Sequence, residues 1–98
     1  MPQTPRLEED QIRQHLQAIP QWTREGSIIK RSVTLASFPA AIKLVHAVAD
    51  AAESADHHPD MDIRFNQVTF ALTTHDSGGL TMKDMELARR IDELVPVS

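Results

Sequence analysis

The sequence predicts an α+β fold in the order α-β-β-α-β-β-α, a four-stranded antiparallel sheet with three helices on one face. Three observations carry this. Apolar residues recur at helical spacing in three separate segments, within residues 4–19, 37–56 and 80–94. Two pairs of β-rich runs lie between them, joined at Gly26-Ser27 and at Asn66 by connections too short for a helix. Sequential hairpins favour antiparallel pairing, with the helices layered on one side of the sheet.

The elements follow in order. Thr4-Pro5 offers a capping hydroxyl and then a proline whose missing N–H costs nothing, so the first helix is expected to start there. Leu7, Ile12, Leu16 and Ile19 mark its apolar side, Glu8, Glu9 and Asp10 its early turns, and Pro20 its end. A strand begins at Trp22, an expected core anchor. A second runs from Ile28 to Leu35, with Ile29, Val33 and Leu35 on one face and Arg31 the odd member. Ser37 caps the central helix and Pro39 fits its first turn. Two apolar stripes run along that helix, one through Phe38, Ile42, Val45, Ala49 and Ala52 and one through Leu44, Val48 and Ala51. One can cover the sheet, which leaves the other for a helix of a second subunit. Pro59 pushes His58 out of the α region, so the helix should finish near Asp56 or His57. A short strand over residues 62–65 and a stronger one over 67–74 come next. Val68, Phe70 and Leu72 share the latter's core face, and alternation carries Thr69, Ala71, Thr73 and His75 to the other. Ser77-Gly78-Gly79 makes a turn. Thr81 to Asp84 resembles a capping box, and Leu80, Leu87, Ala88, Ile91 and Leu94 line the last helix.

With 98 residues the chain is expected to form one domain spanning 1–98. Its 41% hydrophobic and 24% charged residues are ordinary for a globular protein. No cysteine is present, so a disulfide framework, a thiolate nucleophile and a cysteine-based zinc site are all excluded. This suits a reducing compartment, the cytoplasm, and no signal peptide or membrane span is expected. A net charge of −4 argues against nucleic acid as a partner, because phosphate binding needs clustered Lys and Arg.

The densest chemistry lies in Glu53-Ser54-Ala55-Asp56-His57-His58-Pro59 and His75-Asp76. Three of the five histidines fall within residues 57–75. Imidazole titrates near neutrality, so His57, His58 and His75 suit proton transfer, with Asp56, Asp60 and Asp76 close by. Each histidine taken singly is as readily a polar surface group. Three His and an Asp could also ligate zinc, but the spacing matches no usual pattern such as H-E-x-x-H. His46 and His15 are expected at a helix surface.

The spacing Glu53, three residues, His57-His58-Pro59, five residues, Phe65, nine residues, His75, eight residues, Asp84 resembles the signature of the pterin-4a-carbinolamine dehydratases. The resemblance extends over nearly the whole chain, through residues 7–22, Ser37-Phe38, Asn66, Thr74-His75 and residues 79–88. It implies dehydration of 4a-hydroxytetrahydropterin to quinonoid dihydropterin and water, with no cofactor and no metal. By that resemblance His58 is the principal general acid/base, His75 the second proton-transfer group and His57 the residue that binds and orients the pterin. Glu53 and Asp84 would orient this set, with Asp60, Thr74 and Asp76 as further substrate-binding candidates. The family also implies a homodimer or homotetramer through the 38–56 helix and the sheet edge, with an aromatic amino acid hydroxylase as supplier of the substrate and candidate partner. One departure stands beside the doublet: Asp60-Met61 replaces the usual residue and tryptophan, which removes a flat aromatic surface. A second hypothesis keeps the fold without the chemistry, as a binding module that assists transcription-factor dimerisation or Rubisco assembly. Such a module would have no need of all three histidines.

Overall fold

A computed structural model describes residues 4–96. The element order is α1 (Glu9–Gln17), β1 (Thr23–Glu25), β2 (Ile28–Thr34), α2 (Phe38–Ala55), β3 (Asp60–Arg64), β4 (Gln67–Leu72), a 3-10 turn (His75–Ser77) and α3 (Met82–Leu94). The strands form one antiparallel sheet in the order β1-β2-β4-β3. The predicted fold class and element order are therefore present.

Register explains which sheet face is covered. Ile29 sits opposite Leu72, Arg31 opposite Phe70 and Val33 opposite Val68. Ile29, Val33, Val68, Phe70 and Leu72 are buried against Ala41, Leu44, Val48 and Ala52 of α2 and Met85, Leu87, Ala88 and Ile91 of α3 in one continuous core. The opposite face carries Ser32, Thr34, Asp62 and Gln67, all exposed. Arg31 is one of two charges on the covered face, the other being Arg24 opposite Ile29. Arg31 forms an ion pair with Asp92 of α3, and the same carboxylate accepts from Trp22 Nε1 at 2.8 Å. The buried Trp22 is thus a core anchor with its polar tip satisfied. Asp92→Ala leaves two largely buried donors, on Trp22 and Arg31, unpartnered, so it is expected to cost about 2 kcal/mol and lower Tm by roughly 10 °C in thermal unfolding.

The first helix differs from expectation. It starts at Glu9, with Glu8 as its N-cap and the Gln11 side chain accepting from the Glu8 N–H at 2.8 Å. Thr4-Pro5 belongs instead to a lead-in segment held against the loop before α3. There Leu7 N–H donates to the Leu80 carbonyl at 2.8 Å, and Ser77 Oγ donates to the Thr4 carbonyl. Pairing with a segment far away in sequence outweighs the local capping signal. The helix also closes at Gln17, ahead of Pro20, and Ile19 is buried beyond its end.

Glu9 makes a two-point contact with Arg24, at 2.6 and 3.0 Å. This hydrogen bond, with the charge of the same guanidinium, holds the Glu9 carboxyl below its ordinary value. A lowered folded value stabilises above the unfolded value, and the benefit fades as pH falls through the folded one. The pair is exposed, so the effect is small and screened by salt. The Tm difference between wild type and Glu9→Gln is expected at pH 6 in low salt and should shrink as the pH falls through and below the ordinary carboxylate range.

Candidate active site

The end of α2 sets up the site. Ser37 Oγ accepts from Ala40 N–H at 3.2 Å to start this helix. At the other end Asp56 adopts a left-handed conformation, φ +51°. The Asp56 N–H returns to the Glu53 carbonyl at 3.2 Å and the His57 N–H to the Ala52 carbonyl at 3.1 Å. This double closure reverses the chain and ends the helix where Pro59 predicts. It leaves Glu53 on the last turn, the histidine doublet just past it, and Asp60 at the start of β3.

The third histidine arrives differently from expectation. Strand β4 stops at Leu72, so His75 does not continue its alternation. Leu72 pairs with Ile29, one residue from the start of β2, and Ala71 pairs with Asp60, the first residue of β3. Both neighbouring strands run out together, and a strand without partners loses its ladder. Thr73 Oγ1 instead donates to the Ser27 carbonyl at 2.6 Å, and Thr74 bridges to Gly79. The chain between them closes as the 3-10 turn that begins at His75, with Gly78 supplying the left-handed residue at φ +74°.

The three histidines nevertheless meet. His57, His58 and His75 line one cleft of about 360 Å³ together with Asp56, Thr73, Thr74, Asp76 and Lys83. That volume falls in the ~300–1,000 Å³ range of small-molecule sites. Of the residues singled out from sequence, Thr74 and Asp76 lie in the lining, and Glu53 and Asp84 stand behind it as partners of the doublet. Asp60 lies outside the lining, opposite Ala71 on the sheet. Lys83 is the lining residue that sequence inspection passed over. A signal was present, since a cation in the first turn of a helix opposes the helix dipole.

The two histidines of the doublet sit in contrasting surroundings. His57 is nearly buried, and its Nε2 lies 2.6 Å from Oδ1 of Asp84, which is fully buried. Oδ2 of Asp84 accepts from Thr74 Oγ1 at 2.8 Å and from the Thr81 N–H at 3.0 Å. Thr81 Oγ1 lies 2.8 Å from Thr74 Oγ1 and accepts from the Lys83 N–H at 3.2 Å, so the predicted capping box is formed. Oδ2 of Asp84 thus faces two donors, which leaves Oδ1 as the acceptor turned to the His57 ring. That arrangement assigns a hydrogen to His57 Nε2 and locks the ring. His58 is exposed, with Nε2 2.6 Å from Glu53 Oε2, also exposed. A carboxylate there leaves Nδ1 as the ring nitrogen of His58 free for other work. Every buried side-chain polar atom among the described residues has a partner.

Met61, where the resemblance leads one to expect tryptophan, is not among the residues that line the cleft. It pairs with Phe70 across β3–β4 and packs partly buried against the core. The substitution is therefore a matter of packing beneath the sheet. Phe65 occupies the β3–β4 turn at φ +53° and is exposed, while Asn66 Nδ2 ties that turn to the Leu35 carbonyl at 2.9 Å. Among the described residues, no group of three or more His, Cys, Asp or Glu is placed to hold a metal ion, and no helix is long and apolar enough to cross a membrane.

An antiparallel sheet covered on one face by helices, with a cleft lined by three histidines at the end of the central helix, defines the class as α+β with a cleft of small-molecule size. The chain belongs to the pterin 4 alpha carbinolamine dehydratase family, whose model matches residues 5–94. It is 59% identical over 88 residues to a protein of Nocardia farcinica provisionally named a pterin-4-alpha-carbinolamine dehydratase, covering 90% of this chain and 93% of that one. A similarly named protein of Chloroflexus aurantiacus is 55% identical over 91 residues, covering 93% and 98%. Among solved structures, a transcriptional coactivator/pterin dehydratase from Brucella melitensis superposes with a TM-score of 0.89 at 30% identity, over 93% of this chain and 99% of that one. A pterin dehydratase-like RuBisCO assembly factor of the alpha-carboxysome shares the fold, with a TM-score of 0.64 at 18% identity over 79% and 89% of the two chains.

Proposed function

We propose that this protein is a hydro-lyase that dehydrates 4a-hydroxytetrahydropterin to quinonoid dihydropterin and water, as part of tetrahydrobiopterin recycling in the cytoplasm. The observation that supports it most is the meeting of His57, His58 and His75 on one cleft, two of them backed by carboxylates.

The reaction needs two proton transfers. The 4a-oxygen accepts a proton, the C4a–O bond breaks and water leaves. The N5 lone pair forms the C4a=N5 bond, and N5 then gives its proton to a base. One proton is delivered and one removed, so the sum is substrate to product plus water with no redox change. His58 is assigned as principal acid/base. Glu53 holds its Nε2, and Nδ1 exchanges the proton with substrate. His75 is the second proton-transfer group. His57, locked by Asp84, binds and orients the ring, and Thr74 and Asp76 bound the same cleft. Asp60, outside the cleft lining, is kept only as a candidate at its margin. The three imidazoles line one cleft, so the assignment is of roles within a group.

The direct test supplies the 4a-carbinolamine, generated by an aromatic amino acid hydroxylase, and follows its dehydration by absorbance. Acceleration over buffer is the expected result; a rate no faster than buffer would overturn the proposal.

A second feature supports self-association. Phe38 and Ile42, on the outer stripe of α2, are 48% and 39% exposed. Large apolar groups left uncovered along one helix suit pairing of central helices between copies, the homotetramer implied by the family. Ile42→Lys is expected to lower the mass seen by sedimentation velocity while leaving the circular dichroism unchanged. An unchanged mass would remove α2 from the interface. The same surface could serve a non-catalytic binding role, but the three retained histidines favour the enzyme.

A further inference from the structure

Lys83 is an exposed cation at the edge of the histidine cleft. It is the second residue of α3, where the positive end of the helix dipole disfavours a cation. Its ammonium has no ion-pair or hydrogen-bond partner among the described residues; its backbone N–H alone is engaged, by Thr81. It lines the histidine cleft and, together with His57, an adjoining hollow of about 200 Å³ bounded by Ala51, Ala55 and Leu87, with Glu86 and Arg90. Three donors on a flexible stem therefore lie between a cleft suited to a pterin ring and a second space of mixed lining, apolar at Ala51, Ala55 and Leu87 and charged at Glu86 and Arg90.

We propose that Lys83 donates hydrogen bonds to oxygen atoms on the C6 substituent of the bound pterin, so that the site selects pterins whose C6 substituent is hydroxylated or anionic. This rests on the dehydratase reading. The chemistry of that reaction indicates which part of the substrate the ammonium serves. As the 4a-oxygen departs, positive charge grows on C4a and N5. An ammonium bound to the C4 carbonyl, next to C4a, would oppose that charge. On the C6 substituent it binds an oxygen attached through a saturated carbon and outside the conjugated ring, and the adjoining hollow gives the substituent room. A contact made equally in the ground and transition states appears in KM and leaves kcat alone.

The test compares two substrates, the 4a-carbinolamines of tetrahydrobiopterin, with its dihydroxypropyl group, and of 6-methyltetrahydropterin, with no substituent oxygen. Lys83→Met is expected to raise KM for the first by about tenfold, the loss of one charge-assisted hydrogen bond, with kcat held. For the 6-methyl substrate its KM should move less than twofold, and Lys83→Arg should restore most of the difference. Equal effects on both substrates, or none on either, would overturn the proposal. Titration calorimetry with 7,8-dihydrobiopterin and its 6-methyl counterpart provides a readout independent of turnover. If wild type dehydrates neither carbinolamine, the dehydratase reading fails by itself. A selective loss of dihydrobiopterin affinity in Lys83→Met would still support the contact, and no selective loss would remove it.

Discussion

His58→Ala is expected to slow dehydration of the 4a-carbinolamine by about 10²-fold or more, because a positioned general acid/base contributes ~10²–10⁴. Stability should hardly change. The side chain is exposed, and among the described residues its one side-chain hydrogen bond is the exposed ion pair with Glu53, worth ~0–1 kcal/mol. The measurement is therefore a pair, the single-turnover rate and the urea midpoint. A large fall in rate with an unmoved midpoint assigns His58 to the chemistry. A rate within threefold of wild type would transfer the acid/base role to His75 or His57. Glu53→Gln should give a smaller loss than His58→Ala, since it removes the ring's orienting partner and leaves the imidazole in place.

Asp84→Ala should show the reverse balance, a large loss of stability together with loss of activity. Its carboxylate is fully buried and receives His57, Thr74 Oγ1 and the Thr81 N–H. Removing it strands three donors and uncaps α3, for an expected cost of about 3–5 kcal/mol. Against a typical total of ~5–15 kcal/mol, that is enough to shift the urea midpoint strongly or to leave the chain partly unfolded at 37 °C. Asp84→Asn separates the two roles. It preserves volume and one acceptor, so most of the stability should remain. An amide facing His57 no longer fixes its tautomer, and the rate is expected to fall by about 10-fold or more. Full activity in a well-folded Asp84→Asn protein would show that the His57 lock is structural only.

The two predictions differ because one histidine doublet is split between surface and interior, and that split was only half legible in the sequence. Pro59 ends the helix ahead of it, and the structure ends the helix there. The spacing to His75 and Asp84 gave the resemblance that the family match bears out. Which histidine would be buried was not legible. The Schellman-type closure at Asp56 turns His57 towards α3, and a carboxylate 27 residues away meets it. The alternation rule placed His75 at the end of a strand. It failed because both partner strands end together, a fact of register between segments far apart. Likewise the capping signal at Thr4-Pro5 lost to a long-range pairing of Leu7 with Leu80.

The sequence by itself determined the element order, the covered face of the sheet, the two well-capped helices and the family to which the histidine spacing belongs. Each of these rests on local propensity or on period, interactions that act over a few residues. Tertiary structure alone decided that His57 is locked and His58 exposed, that Met61 packs beneath the sheet, and that Lys83 enters the cleft. Those outcomes depend on how α2, β3–β4 and α3 dock against one another. Side chains from segments tens of residues apart acquire partners, burial and direction only when that docking is complete.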